Sequence, residues 1–106
     1  MVTAKKKTST KERDEQGSRK IQRAAILLKQ ASDTTRVRVI LMLSRGEMNV
    51  GAICAELSQT QPAVSHHLAL LRHGGIVSIQ RQGKQNFYSL TETGADLAKV
   101  VKTLIA

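Results

Sequence analysis

Between Thr60 and His73 the chain reads TQPAVSHHLALLRH, which sets Gln61, Ser65, His66 and Arg72 among small and aliphatic residues. Amide, hydroxyl and imidazole groups donate and accept hydrogen bonds, the chemistry needed at the edges of DNA bases. Catalysis fits the same residues poorly. Ser65 and His66 are neighbours on a helical stretch and cannot pair as nucleophile and base, and no carboxylate lies near them in sequence. No phosphate-binding loop and no paired-carboxylate constellation occurs, so no catalytic residue is assigned and the chain is not read as an enzyme. His66 and His67 point about 100° apart around a helix, so they cannot chelate one ion side by side. His67 borders the apolar stripe of its helix and reads as structural, while His66 is the better candidate for a DNA contact. His73 suits a helix C-terminus. Cys54 is the single cysteine. It shares a stripe with Val50, Ile53 and Leu57 and reads as core packing rather than as a ligand or redox group.

The elements that hold these residues follow from spacing. Ile21, Ala24, Ala25 and Leu28 stand at i, i+3, i+4 and i+7. The same spacing recurs in Val50, Ile53, Cys54 and Leu57, in Val64, His67, Leu68 and Leu71, and in Leu97, Val100, Val101 and Leu104. Each set predicts one amphipathic helix. The segment 34–44 is richer in aliphatic residues and predicts the central buried helix. Ser32 or Asp33 can cap it and Gly46 can close it; Asn49 and Thr60 are N-caps for the next two, with Pro62 tolerated in a first turn. His73-Gly74-Gly75 stops the fourth helix. After Gly75 the period changes: residues 76–81 and 85–90 are β-rich runs around a turn holding Gly83 and Lys84, which predicts a hairpin. Thr91 or Thr93 starts the last helix.

The predicted fold is therefore mainly α with a small β-hairpin, a winged helix-turn-helix of order α-α-α-α-β-β-α. Helices 49–57 and 60–73 are joined by about three residues and must cross steeply. With Val64, His67, Leu68 and Leu71 turned inward, Pro62, Ser65, His66, Ala69 and His73 face away, with Gln61 and Arg72 on one flank. This face is short, polar and nearly uncharged, suited to close entry into a major groove. Arg81 and Lys84 on the hairpin suit phosphates, which position a protein while base contacts specify sequence.

Composition bounds the class. The chain has 106 residues and a net charge of +9, with no Trp, one Phe and one Tyr. That is room for one modest aliphatic core, which favours packed helices. Residues 1–16 carry five cations and three carboxylates and read as a flexible basic tail; 17–106 form the domain. The domain keeps +7 of the charge, and residues 58–91 contain no Asp or Glu. A surface without acidic residues suits a polyanion. One cysteine excludes an intramolecular disulfide and agrees with a reducing cytosol. No apolar run reaches the roughly 18 residues of a membrane span, and the first residues lack the apolar stretch of a secretion signal. The expected location is the cytoplasm, on the nucleoid when bound to DNA. A winged helix used for protein or RNA contact is the alternative reading.

The stretches SDTTRVRVILML (32–43), MNVGAICAEL (48–57), TQPAVSHHLALLRHGGIV (60–77) and RQGKQNFYSL (81–90) resemble the ArsR/SmtB family of winged-helix repressors. The resemblance covers roughly residues 20–104. Thr34 departs from it, since the family often has proline there. The resemblance implies a homodimer joined through the first and last helices. Their stripes, with Ile21, Ala24, Leu28, Leu97, Val101 and Leu104, lie outside the DNA-reading unit and are free for that purpose. The residues themselves then suggest a mechanism in which the dimer reads a pseudo-palindromic operator in double-stranded DNA, with Gln61, Ser65 and His66 at bases and Thr60, Arg72, Arg81 and Lys84 at phosphates. The family's metal sites do not follow. Its Cys-Val-Cys pattern in the third helix is matched here by Asn49, Val50 and Gly51, and Asp96 on the last helix has no following histidine. No metal and no cofactor is expected.

Overall fold

Asp33 starts the central helix. Its backbone is extended (φ −96°, ψ 134°) and its carboxylate accepts the Arg36 N–H at 3.1 Å, which satisfies a donor that a helix start leaves open. In the computed structural model, which describes residues 10–106, the order is α1 (Thr10–Gln30), α2 (Thr34–Leu43), β1 (Met48–Asn49), α3 (Val50–Leu57), α4 (Gln61–His73), β2 (Val77–Gln82), β3 (Gln85–Leu90) and α5 (Glu92–Ile105). The core is aliphatic and centres on α2: Val39, Ile40, Met42 and Leu43 meet Ile53, Leu57, Val64, Leu68 and Leu71, with Ile76 and Val77 closing it beneath the sheet.

The Arg36 amide bond holds the Asp33 carboxyl below its ordinary value of 3.8; partial desolvation opposes this, and the charges of His67 and Arg36 reinforce it. A folded-state value below the unfolded one contributes stability that is complete above 3.8 and is lost as pH falls through the folded value. Asn caps a helix as well as Asp does, so Asp33→Asn isolates the charge. It should be less stable than the wild type at neutral pH, and the two should converge on acidification. Urea melts at pH 7 and below pH 3.8 check this; a gap that is constant with pH would sink it.

Two features differ from the sequence reading. The hairpin is not alone: β1 pairs with β3 through Met48↔Tyr88 and Asn49↔Phe87, giving a three-stranded antiparallel sheet of order β1-β3-β2. Two residues are too few for an alternating pattern, so β1 leaves no periodic signal. Residues 10–16, expected within the basic tail 1–16, are helical, because α1 begins at Thr10; residues 1–9 lie outside the described residues. TKERDEQ is rich in helix formers but has no apolar stripe, so apolar periodicity is blind to it.

α1 rests on the protomer mainly through its C-terminal half. Leu27 and Ala31 pack against the core, Gln30 accepts from Arg36 at 3.4 Å, and Gln30 and Arg23 lie over Gly74 and Gly75 at the end of α4. The molecule is accordingly elongated, 57 × 33 × 22 Å.

The α5 end is seated by Thr91. Its hydroxyl donates to the Gly75 carbonyl at 2.6 Å and accepts the Gly94 N–H at 3.0 Å, while its own N–H donates to the Ile76 carbonyl at 3.0 Å. One residue thus caps α5 and ties it to the start of the wing.

Candidate nucleic-acid interface

Asn49 builds the first half of the site. Its Oδ1 accepts the Ala52 N–H at 2.8 Å and caps α3, while its Nδ2 donates to Gln85 Oε1 at 2.7 Å and anchors the wing. A second tie, Gln82 to Glu47 at 3.2 Å, holds the other strand. Both fasten β2 and β3 to the segment ahead of α3. Neither Asn49 as an anchor nor Glu47 was legible in the sequence, because each partner lies more than thirty positions away.

α3 ends at Ser58, a non-glycine residue in the left-handed region (φ 54°, ψ 43°), and α4 starts two residues after Gln59. Gln59 donates to Thr35 Oγ1 at 3.3 Å and pins this turn to α2. Thr60 occupies the N-cap position of α4, but its hydroxyl makes no cap bond. Pro at the first turn spares one unpaired N–H, which is one reason the cap bond can be dispensed with.

α4 buries Val64, Leu68 and Leu71. Thr60, Gln61, Ser65, His66 and Arg72 are exposed, as are Arg81 and Lys84 on the wing. His67 is half-buried. Its Nδ1 lies 3.7 Å from Asp33 Oδ2, so it faces α2 and not the open face. At the wing tip Gly83 takes φ +63° to make the turn, and Arg81 Nε donates to its carbonyl at 2.9 Å. That bond keeps the Arg81 guanidinium beside the turn. A cleft of about 450 Å³ is lined by Asn49, Val50, Gly51, Gln61, Lys84 and Gln85. It brings the first residue of α4 together with the tip of the wing, twenty-three positions later in the chain.

The six residues expected at a subunit contact divide. Ile21 (71% exposed), Leu28 (56%) and Leu104 (78%) are open, and Ala24 is exposed beside them. Leu97 and Val101 are each only 7% exposed and belong to the protomer's own core. The outward residue at this part of α5 is Val100 (46%). The i, i+3, i+4, i+7 stripe straddles two faces, and spacing does not say which one meets the core. Leu97 forms the floor of an apolar cleft of about 400 Å³ between α1 and α5, walled by Ala24, Leu27, Leu28 and Val100.

Cys54 is partly buried against the core. Among the described residues no group of three or more His, Cys, Asp or Glu is arranged to hold a metal ion, and no helix is long and apolar enough to cross a membrane.

The sequence model for "Bacterial regulatory protein, arsR family" matches residues 33–78. The biofilm growth-associated repressor of Agrobacterium fabrum is 40% identical over 82 residues, which cover 77% of this chain and 68% of that protein. The chain belongs to the ArsR family. Solved structures agree on the architecture of this ArsR-family regulator. The transcriptional repressor BigR from Xylella fastidiosa superposes with a TM-score of 0.76 at 34% identity, over 88% of this chain and 96% of that one. A homodimeric winged helix-turn-helix DNA-binding domain from Mycobacterium bovis gives 0.75 at 24% identity, over 84% and 83% of the two chains; that likeness concerns fold alone. The family match runs from the Asp33 cap to the start of β2, so it spans the helix-turn-helix and its supporting helix. α1 and α5 of the ArsR-family chain lie outside it.

Proposed function

We propose that this ArsR-family chain is a homodimeric transcriptional repressor that reads a pseudo-palindromic operator in double-stranded DNA, in the cytoplasm. The observation that carries the reading is the outward face of α4: exposed Gln61, Ser65 and His66, with Lys84 of the wing on the same cleft as Gln61. Short polar side chains reach base edges without a long charged stem in the way. Gln61, Ser65 and His66 contact bases. Thr60, with its hydroxyl unspent on its own helix, contacts phosphate together with Arg72, Arg81 and Lys84.

The homodimer supplies two α4 helices, one for each half-site, about one helical turn apart. Ile21, Ala24 and Leu28 of α1 with Val100 and Leu104 of α5 form the contact, since these apolar groups stay exposed in the single protomer. No metal ligand set and no cofactor enters this reading; the third-helix positions are Asn49 and Gly51, and no histidine follows Asp96.

Two substitutions test the division of roles. His66→Ala should reduce discrimination between operator and scrambled duplex, by roughly 5- to 100-fold for a base contact of the usual size. Lys84→Ala should weaken both duplexes alike and lower the salt slope by about one. The opposite pattern would overturn the assignment. Equal affinity of the wild type for both duplexes across a salt titration would favour a winged helix used for protein or RNA contact instead.

A further inference from the structure

Two depressions on one flank of α5 share a wall. One, of about 500 Å³, has an apolar floor of Leu41, Met42 and Leu57 beneath Arg38 and Lys102. The other, of about 440 Å³, extends past Lys99 toward Leu90 and Ala98. Ser44, Arg45 and Lys102 line both, so the groove is continuous. Its rim is unevenly charged. Arg45 pairs with Glu56, and Glu47 is held by the Gln82 amide. Arg38, Lys99 and Lys102 make no ion pair among the described residues. Four cations, Arg38, Arg45, Lys99 and Lys102, against the two carboxylates Glu47 and Glu56 leave a positive rim over aliphatic side chains, which fits neither a neutral apolar molecule nor a bare inorganic anion.

The groove is also clear of the proposed subunit contact. At about 100° per residue, Ala95, Ala98, Lys99 and Lys102 project from the side of α5 opposite Thr93, Asp96 and Val100. The first set lines the groove and the second lines the α1–α5 cleft.

We propose that this groove is a binding site for a small organic anion with an apolar body. Its carboxylate or sulfonate is held by Arg38 and Lys102, and its body lies over Leu41, Met42 and Leu57. The size is that of an ordinary small-molecule site, where a few polar groups orient a mainly apolar ligand. An occupant touches α2, α3 and the segment whose Glu47 ties the wing, so it contacts the parts that position α4. Binding in this groove is independent of operator reading and is measured without DNA.

The probe is anilinonaphthalene sulfonate, titrated into the full chain and followed by fluorescence. Saturable binding is expected, displaced by octanoate and not by octylammonium. Arg38→Glu/Lys102→Glu should weaken the dye by about tenfold or more, and Arg38→Gln/Lys102→Gln by less, because charge-assisted contacts are the strong ones. Both side chains are on the surface, and a thermal melt of each variant verifies the fold. Unchanged dye affinity in the Glu variant, or equal displacement by octylammonium, would show that Arg38 and Lys102 do not hold the dye and overturn the proposal.

Discussion

Gly94→Ala is expected to lower the melting temperature by roughly 10–20 °C, a loss of about 3 kcal/mol for a domain of this size. In most helices the same change stabilises by up to about 1 kcal/mol, because alanine is the better helix former. Here a Cβ would stand 2.1 Å from the Ile76 carbonyl oxygen and 3.1 Å from its carbon. That carbonyl is backbone and cannot swing away. It already accepts the Thr91 N–H at 3.0 Å and the Thr91 hydroxyl at 3.1 Å. Relieving the contact means lifting the start of α5 off the wing, which exposes part of the layer formed by Leu97, Ala98 and Val101. Gly17→Ala in α1 is the control, since a Cβ there meets nothing within 4 Å; it should be neutral or slightly stabilising. Thermal melts should show the midpoint falling for Gly94→Ala and level or slightly raised for Gly17→Ala. A Gly94→Ala protein as stable as the wild type would show that α5 does not depend on this close approach.

The second large effect concerns assembly. Leu28→Asp/Val100→Asp should convert the proposed dimer to monomers and cost on the order of 10²-fold or more in operator affinity. Linking two half-site readers makes the second contact intramolecular, and that gain vanishes when the subunits part. Both residues line the α1–α5 cleft and are exposed in the protomer, so each charge costs little within a single chain, typically within about 0.5 kcal/mol. Sedimentation should show the loss of the dimer, and affinity for a single half-site should be preserved. A variant that stays dimeric, or a monomer that keeps full operator affinity, would refute the contact or its role.

Much of the site was legible in one dimension. The Val64, Leu68 and Leu71 spacing, with Pro62 at the first turn and Gly74-Gly75 after the last, fixes which way Ser65 and His66 point. A helix that buries one stripe must present the other. The Asn49 cap was legible for a similar reason, and the α2 cap was narrowed to Ser32 or Asp33, of which the structure uses Asp33: a side-chain oxygen reaching the N–H three residues on is a local event. Thr60 shows the limit of that rule, because it takes the cap position without making the cap bond.

What the sequence determined by itself, then, is the direction of side chains within each element: the inward and outward faces of α3 and α4, the hairpin, and the acid-free stretch from 58 to 91. The tertiary structure decided which elements meet. It assigned Leu97 and Val101 to the protomer's own core while leaving Val100 outside, although all three share one stripe. It paired β1 with β3 and used Asn49 and Glu47 to hold the wing beside α4. It also made Gly94 a point of contact with Ile76. Periodicity reports the geometry of a single helix or strand. A contact between residues eighteen or thirty-six positions apart depends on how the whole chain closes around its core, and no local spacing contains that.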